Sequence, residues 1–152
     1  MSTFSLFGGL VVFLYPNDVF VPLIGINLQT MIHHGLQLVL GIFFIVYNRK
    51  RLSFKYFFKG VIVFLITFTT ALIFNLVFHT FVNETFNMFY ISPYFECSLP
   101  LLSIVYANVP YVVFLLIYFI GFILSALVVY LIQWGIILGV KKIKEKKAVQ
   151  NE

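Results

Sequence analysis

Apolar residues gather into long blocks separated by short polar breaks. About 20 apolar residues in a helix cross the hydrocarbon of a bilayer, and three blocks reach that length. Asn27–Tyr47 is the first; its inner half, from Leu36, is apolar apart from Gln37, and it stops at Asn48 and a basic run. Gly60–Phe81 returns in the opposite direction. Pro110–Val140 is the third, and its 31 residues exceed one crossing. It therefore tilts, bends, or continues past the headgroups as a helix into Lys141–Lys147. A shorter block, Phe4–Tyr15, ends at Pro16-Asn17-Asp18. It has no basic segment before it and no small-residue cleavage site, which argues against a signal peptide. Extended to Met1 it reaches about 22 Å, and it is expected to form a short fourth helix over about residues 3–15.

Val82–Val109 is too apolar for an ordinary loop, and Pro93 and Pro100 prevent a continuous helix. Irregular backbone cannot face lipid with its polar groups unsatisfied. The segment is expected to cap the bundle at the outer surface or dip between helices. Leu99–Ala107 is a candidate interfacial helix, and Phe86–Tyr94 is expected to pack on the helix ends with Asn87 bonding backbone. The fold class that follows is all-α: one polytopic transmembrane helix bundle over residues 1–140, with helices at about 3–15, 27–47, 60–81 and 110–140, and a basic tail over 141–152.

Composition sharpens the class. The 152 residues are 62% hydrophobic and 10% charged, with a mean hydropathy of +1.05. These values exclude a water-soluble globule and a disordered chain. The net charge of +5 does not point to nucleic acid, because all ten basic residues fall in two clusters. Arg49, Lys50, Arg51, Lys55 and Lys59 form one; Lys141, Lys142, Lys144, Lys146 and Lys147 form the other. Lys and Arg in short loops mark the cytoplasmic side, so both termini are expected there in a multi-pass cell-membrane protein whose natural partners are membrane lipids. The single cysteine, Cys97, excludes an internal disulfide framework and any CxxC site.

Polar residues inside a span are costly and tend to face the bundle interior or a water cavity. The first span carries Gln29, Thr30, His33, His34 and Gln37. Gln29, His33 and Gln37 are four apart, as are Thr30 and His34, so they form one broad stripe. The second span carries Asn75 and His79 on one face. Helices joined by a short loop are expected to be neighbours, which would bring His34 opposite Asn75 in the outer half of the bilayer. Such a cluster either binds a ligand or holds the helices together by mutual hydrogen bonds. His33 and His34 are adjacent and point about 100° apart, with no carboxylate one turn away, which argues against a metal site. No catalytic or cofactor motif occurs: there is no G-x-S-x-G, H-E-x-x-H, Walker loop or glycine fingerprint, and no cofactor is expected.

Gln29-Thr30-Met31-Ile32-His33-His34-Gly35-Leu36 resembles the segment ending in His-Gly on a central helix of the YwaF-like bacterial membrane proteins. Asn75-Leu76, followed by Asn87-Met88-Phe89, resembles the same family's NL … N-x-x-F stretch. The resemblance covers about residues 4–135. That family is similar to animal transmembrane proteins credited with acyl transfer between lipids, where a Cys and a His do the chemistry. The resemblance implies that His34 matches the His; the Cys lies on an earlier helix of the family and does not carry over to Cys97. The chain thus looks like the C-terminal helices of a longer fold, with a homo-oligomer or partner helices replacing the missing part.

Three functions remain open: a membrane module binding a lipid or small solute at Gln29, Thr30, His33, Gln37, Asn75, His79 and Asn87; a lipid acyltransferase-like enzyme with His34 as general base; and a transporter component. The topology is directly testable. With single cysteines placed at Ser53 or Ser98, an impermeant external reagent should label Ser98→Cys and spare Ser53→Cys; preferential labelling of Ser53→Cys contradicts the cytoplasmic placement of the basic loop.

Overall fold

The computed structural model describes residues 2–16, 24–48, 53–81 and 86–150. Over these residues the chain is an all-α, membrane-spanning helix bundle. Its helices are α1 (Ser2–Leu14), α2 (Ile24–Tyr47), α3 (Phe54–Phe81), α4 (Leu102–Asn108) and α5 (Tyr111–Gln150). Stretches of α2, α3 and α5 are long and apolar enough to cross a membrane; α1 is apolar but shorter. Residues 17–23, 49–52 and 82–85, assigned by the sequence to turns and carrying Asp18, Arg49, Lys50, Arg51 and Glu84, lie outside the described residues.

Two helix starts differ from the sequence expectation: α2 begins at Ile24 instead of Asn27, and α3 at Phe54 instead of Gly60. α5 continues through the lysine-rich tail, as one of the expected alternatives had it, and reaches Gln150. Lys55 and Lys59 are exposed on the first turns of α3, where long aliphatic stems reach polar surroundings without breaking the helix. The tail lacks Gly and Pro after Gly139 and is rich in Lys, a good helix former. At 1.5 Å per residue, α5 is about 60 Å long, so it extends well beyond one crossing.

Aromatic rings set the packing of α3 on α5. Phe64 stacks on Phe119 (5.5 Å, 5°) and Phe122 (5.3 Å, 16°), and Phe68 meets Tyr118 at 5.8 Å. Toward the other end Phe54 contacts both Tyr130 and Trp134. Rising numbers on α3 meet falling numbers on α5, so the pair is antiparallel. α1 adds Phe4, stacked on Phe57 and Phe64, and Phe7, set edge-on to Phe122 at 4.9 Å. Each such ring pair contributes about 0.5–1.5 kcal/mol beyond its area.

Glycine sets the packing of α1 on α2. A Cβ added at Gly41 would lie 2.8 Å from the Leu6 nitrogen and 2.9 Å from its Cα; one added at Gly9 would lie 3.0 Å from the His34 oxygen and the Leu38 nitrogen. The backbones approach this closely because no side chain separates them, the small-residue route to helix association in a membrane. The expected neighbour relation of α2 and α3 is not formed along their length: α2 packs chiefly on α1, while α3 packs on α5. α2 and α3 are consecutive in sequence but belong to different helix pairs along most of their length. α2 is consequently the outermost span, with 6% of its membrane window buried against 22% for α3 and 17% for α5.

Gly41→Ala should destabilise the protein by about 1–3 kcal/mol through overpacking against backbone. Gly121→Ala, where an added Cβ meets nothing within 4 Å, should be neutral or stabilising by up to about 1 kcal/mol. Thermal unfolding of both variants in detergent checks the pair; equal effects would mean that α1 does not dock as described.

Candidate functional site

The polar residues picked out from sequence separate into two groups. Phe7, Phe64 and Phe122 form one aromatic layer. Gly9, two residues beyond Phe7, faces the His34 carbonyl, whereas Asn75 is eleven residues beyond Phe64, or about 16 Å along the helix. His34 therefore lies nearer the middle of the bundle and Asn75 near its outer end, and the expected contact between them does not occur. They belong to different helix pairs at different depths.

The outer group is occupied by protein. Asn75 is fully buried. Its Nδ2 donates to the Met88 carbonyl (3.0 Å) and its Oδ1 accepts from the Met88 amide (2.6 Å). One side-chain amide thus substitutes for a peptide neighbour and satisfies both backbone groups of Met88. Asn87 Oδ1 accepts the Ser92 amide (3.0 Å), and the Tyr111 hydroxyl donates to the Ile91 carbonyl (2.6 Å). Ile91 and Ser92 are fully buried. His79 stacks on Tyr94 with ring centres 3.7 Å apart and planes within 10°. These contacts hold Phe89 and Tyr90 at φ of 58° and 57°, a left-handed conformation that bulky residues adopt only when their surroundings enforce it. The segment from Phe86 to Tyr94 therefore packs on the helix ends, as its apolar character suggested, and Asn87 does bond backbone. Cys97 is buried beneath it, and burial pushes its thiol pKa up, partly opposed by the Leu99 backbone; a protonated, enclosed thiol is a poor nucleophile.

The inner group is open. On α2, His33 is exposed, His34 and Gln37 are half-buried, Gln29 is exposed and Thr30 is half-buried. Gln37 joins the two imidazoles: its Nε2 donates to His33 Nε2 and its Oε1 accepts from His34 Nδ1, each at 3.1 Å. Donor and acceptor roles here depend on the imidazole tautomers and the amide orientation, but the two rings are locked in step. In the orientation described, both carry their proton on Nδ1. Turning the amide over moves both protons to Nε2. In either state one outward ring nitrogen donates and the other accepts, so the pair always offers one donor and one acceptor. From α1, the Ser5 hydroxyl donates to the Gln37 carbonyl (3.0 Å) and fixes that turn. No group of three or more His, Cys, Asp and Glu residues is placed to hold a metal among the described residues.

Two polar side chains escaped the sequence analysis. Tyr130 and Gln133 on α5 are buried, and neither the tyrosine hydroxyl nor the glutamine Oε1 has a hydrogen-bond partner among the described residues. Gln133 is the only side-chain amide between Tyr111 and Val140, which was the available signal. No protein-family model matches the chain, and comparison with curated proteins and with solved structures returns no match.

Asn75→Ala should cost about 2–6 kcal/mol, since it orphans two buried backbone groups at about 1–3 kcal/mol each. Hydrogen exchange across residues 87–95 should accelerate in this variant. Unchanged protection would show that the loop does not depend on Asn75.

Proposed function

We propose that the protein is a membrane-embedded binding module that receives a lipid or small polar solute at His33, Gln37 and His34. The observation that carries this reading is the Gln37 bridge. It satisfies one nitrogen of each imidazole and leaves the others as a matched donor and acceptor on the most exposed helix of the bundle. Polar groups facing hydrocarbon without partners cost several kcal/mol each, so a ligand with its own acceptor and donor lowers the energy of this surface. A protonated phosphate, a carboxylic acid or a hydroxyl beside an ester carbonyl has that pattern. Gln29 and Thr30 extend the polar face along α2, while Asn75, His79 and Asn87 act in folding the outer loop.

A second reading follows from the lone pair on His34 Nε2 in the orientation described: His34 serves as general base toward a lipid ester, in keeping with the resemblance to YwaF-like proteins. That reading needs a nucleophile other than Cys97, such as a ligand hydroxyl or water.

Among the described residues, His33, Gln37 and His34 hydrogen-bond through their side chains only to one another. Replacing all three with leucine therefore orphans no other side chain, and the fold should survive. In vesicles containing a phospholipid with a photoreactive diazirine near its ester, wild type should crosslink within the α2 peptide, and the triple variant should lose at least about 90% of that yield with an unchanged melting temperature. His34→Gln, which keeps hydrogen bonding but is no base at neutral pH, should retain crosslinking while removing any ester turnover. Unfolding of the triple variant, or full crosslinking by it, contradicts the site.

A further inference from the structure

A second polar site lies at the opposite end of the bundle, and it stands independently of the α2 cluster. A cavity of about 420 Å³ opens where the ends of four helices meet, within the range of about 300–1,000 Å³ typical of small-molecule sites. Thr3 of α1, Asn48 at the end of α2, Ser53 and Lys59 at the start of α3, and Tyr130 and Gln133 of α5 line it. Tyr130 is 4% exposed and Gln133 8% exposed, and the tyrosine hydroxyl and glutamine Oε1 are the buried side-chain polar atoms without a partner among the described residues. Native proteins rarely leave such groups unmet, and each calls for an explanation. Both line the same cavity.

The chemistry of the lining selects the ligand. Lys59 supplies positive charge, no carboxylate faces the cavity among the described residues, and Thr3, Ser53, Asn48 and Tyr130 supply neutral hydrogen bonds. Phe44, Phe57 and Val63 complete the wall with apolar surface. An anion bearing hydroxyl or ester oxygens and attached to an apolar chain matches all three features. The position matches as well, since Lys59 and the start of α3 belong to the side marked by the basic residues, where anionic lipids attract Lys and Arg. We propose that this cavity binds the phosphate and glycerol headgroup of an anionic phospholipid from the leaflet on the basic side. Tyr130 donates to a phosphate oxygen, Gln133 pairs with a headgroup hydroxyl, and Lys59 balances the phosphate charge.

The single tryptophan, Trp134, lies beside this site, 5.9 Å from the Tyr130 ring, and reports occupancy by fluorescence. The full chain in maltoside micelles is titrated with phosphatidylglycerol, with phosphatidylcholine, and with water-soluble glycerol 3-phosphate. Phosphatidylglycerol should produce a saturating change in Trp134 emission and raise the melting temperature, while the other two should not. Tyr130→Phe and Gln133→Leu should each raise the half-saturating mole fraction about tenfold, the effect of losing one good hydrogen bond. Both variants remove an unpartnered buried polar atom, so without lipid their melting temperatures should equal or exceed that of wild type. Lys59→Gln should reduce the preference for phosphatidylglycerol over phosphatidylcholine. An equal response to phosphatidylcholine, saturation by glycerol 3-phosphate alone, or a phosphatidylglycerol response unchanged in Tyr130→Phe and Gln133→Leu would each overturn the proposal.

Discussion

Hydrocarbon offers no hydrogen bond, and that constraint organises this protein. Every polar group inside the bundle must find a partner in the chain or take one from outside. Helices satisfy their own backbone, which is why the described residues are dominated by them. Where the backbone leaves helical geometry, at Met88 to Ser92, side chains take over. Asn75 meets both polar groups of Met88, Asn87 caps the Ser92 amide and Tyr111 closes on the Ile91 carbonyl. The loop is thus held by three side chains, and both polar atoms of Asn75 are used in holding it.

Two packing modes support that arrangement. Stacked rings join α3, α5 and the first turns of α1, and ring geometry gives these contacts an orientation that aliphatic packing lacks. Glycine contacts join α1 to α2, where the backbones themselves touch. The result is a bundle in which the second span is attached mainly through a short helix. Gly9 lies against the His34 carbonyl five residues before α1 ends at Leu14, so the histidine pair lies alongside α1, and the exposure of His33 reflects the face it occupies on α2.

Much of this was legible in the sequence, and the limits have physical causes. Block length and the clustering of Lys and Arg predict the three spans, and Pro93 and Pro100 predict the break between α3 and α5. The packing of Phe86 to Tyr94 follows from its apolar content. The pairing of helices does not follow from loop length: a short connection permits neighbours to separate when better partners exist, and here glycines at 9 and 41 and aromatic residues on α3 and α5 decide the matter. The spacing that placed His33 and Gln37 on one face was right, since they bond to each other. Grouping Asn75 with them failed because α2 and α3 belong to different helix pairs, and because α3 starts at Phe54, six residues before the expected Gly60, which sets Asn75 about 9 Å further along the helix from its start. Gln133 went unnoticed because a lone amide in an apolar run has no periodic partner to draw attention to it.

Gln37 is the coupler that makes two adjacent histidines one open site. Nitrogen-15 NMR of histidine-labelled protein in bilayers measures this directly, because the two ring nitrogens report which of them carries the proton. His33 and His34 should share the same tautomer, and Gln37→Leu should uncouple them. Opposite tautomers in the wild type, or rings indifferent to the loss of Gln37, would contradict this coupling.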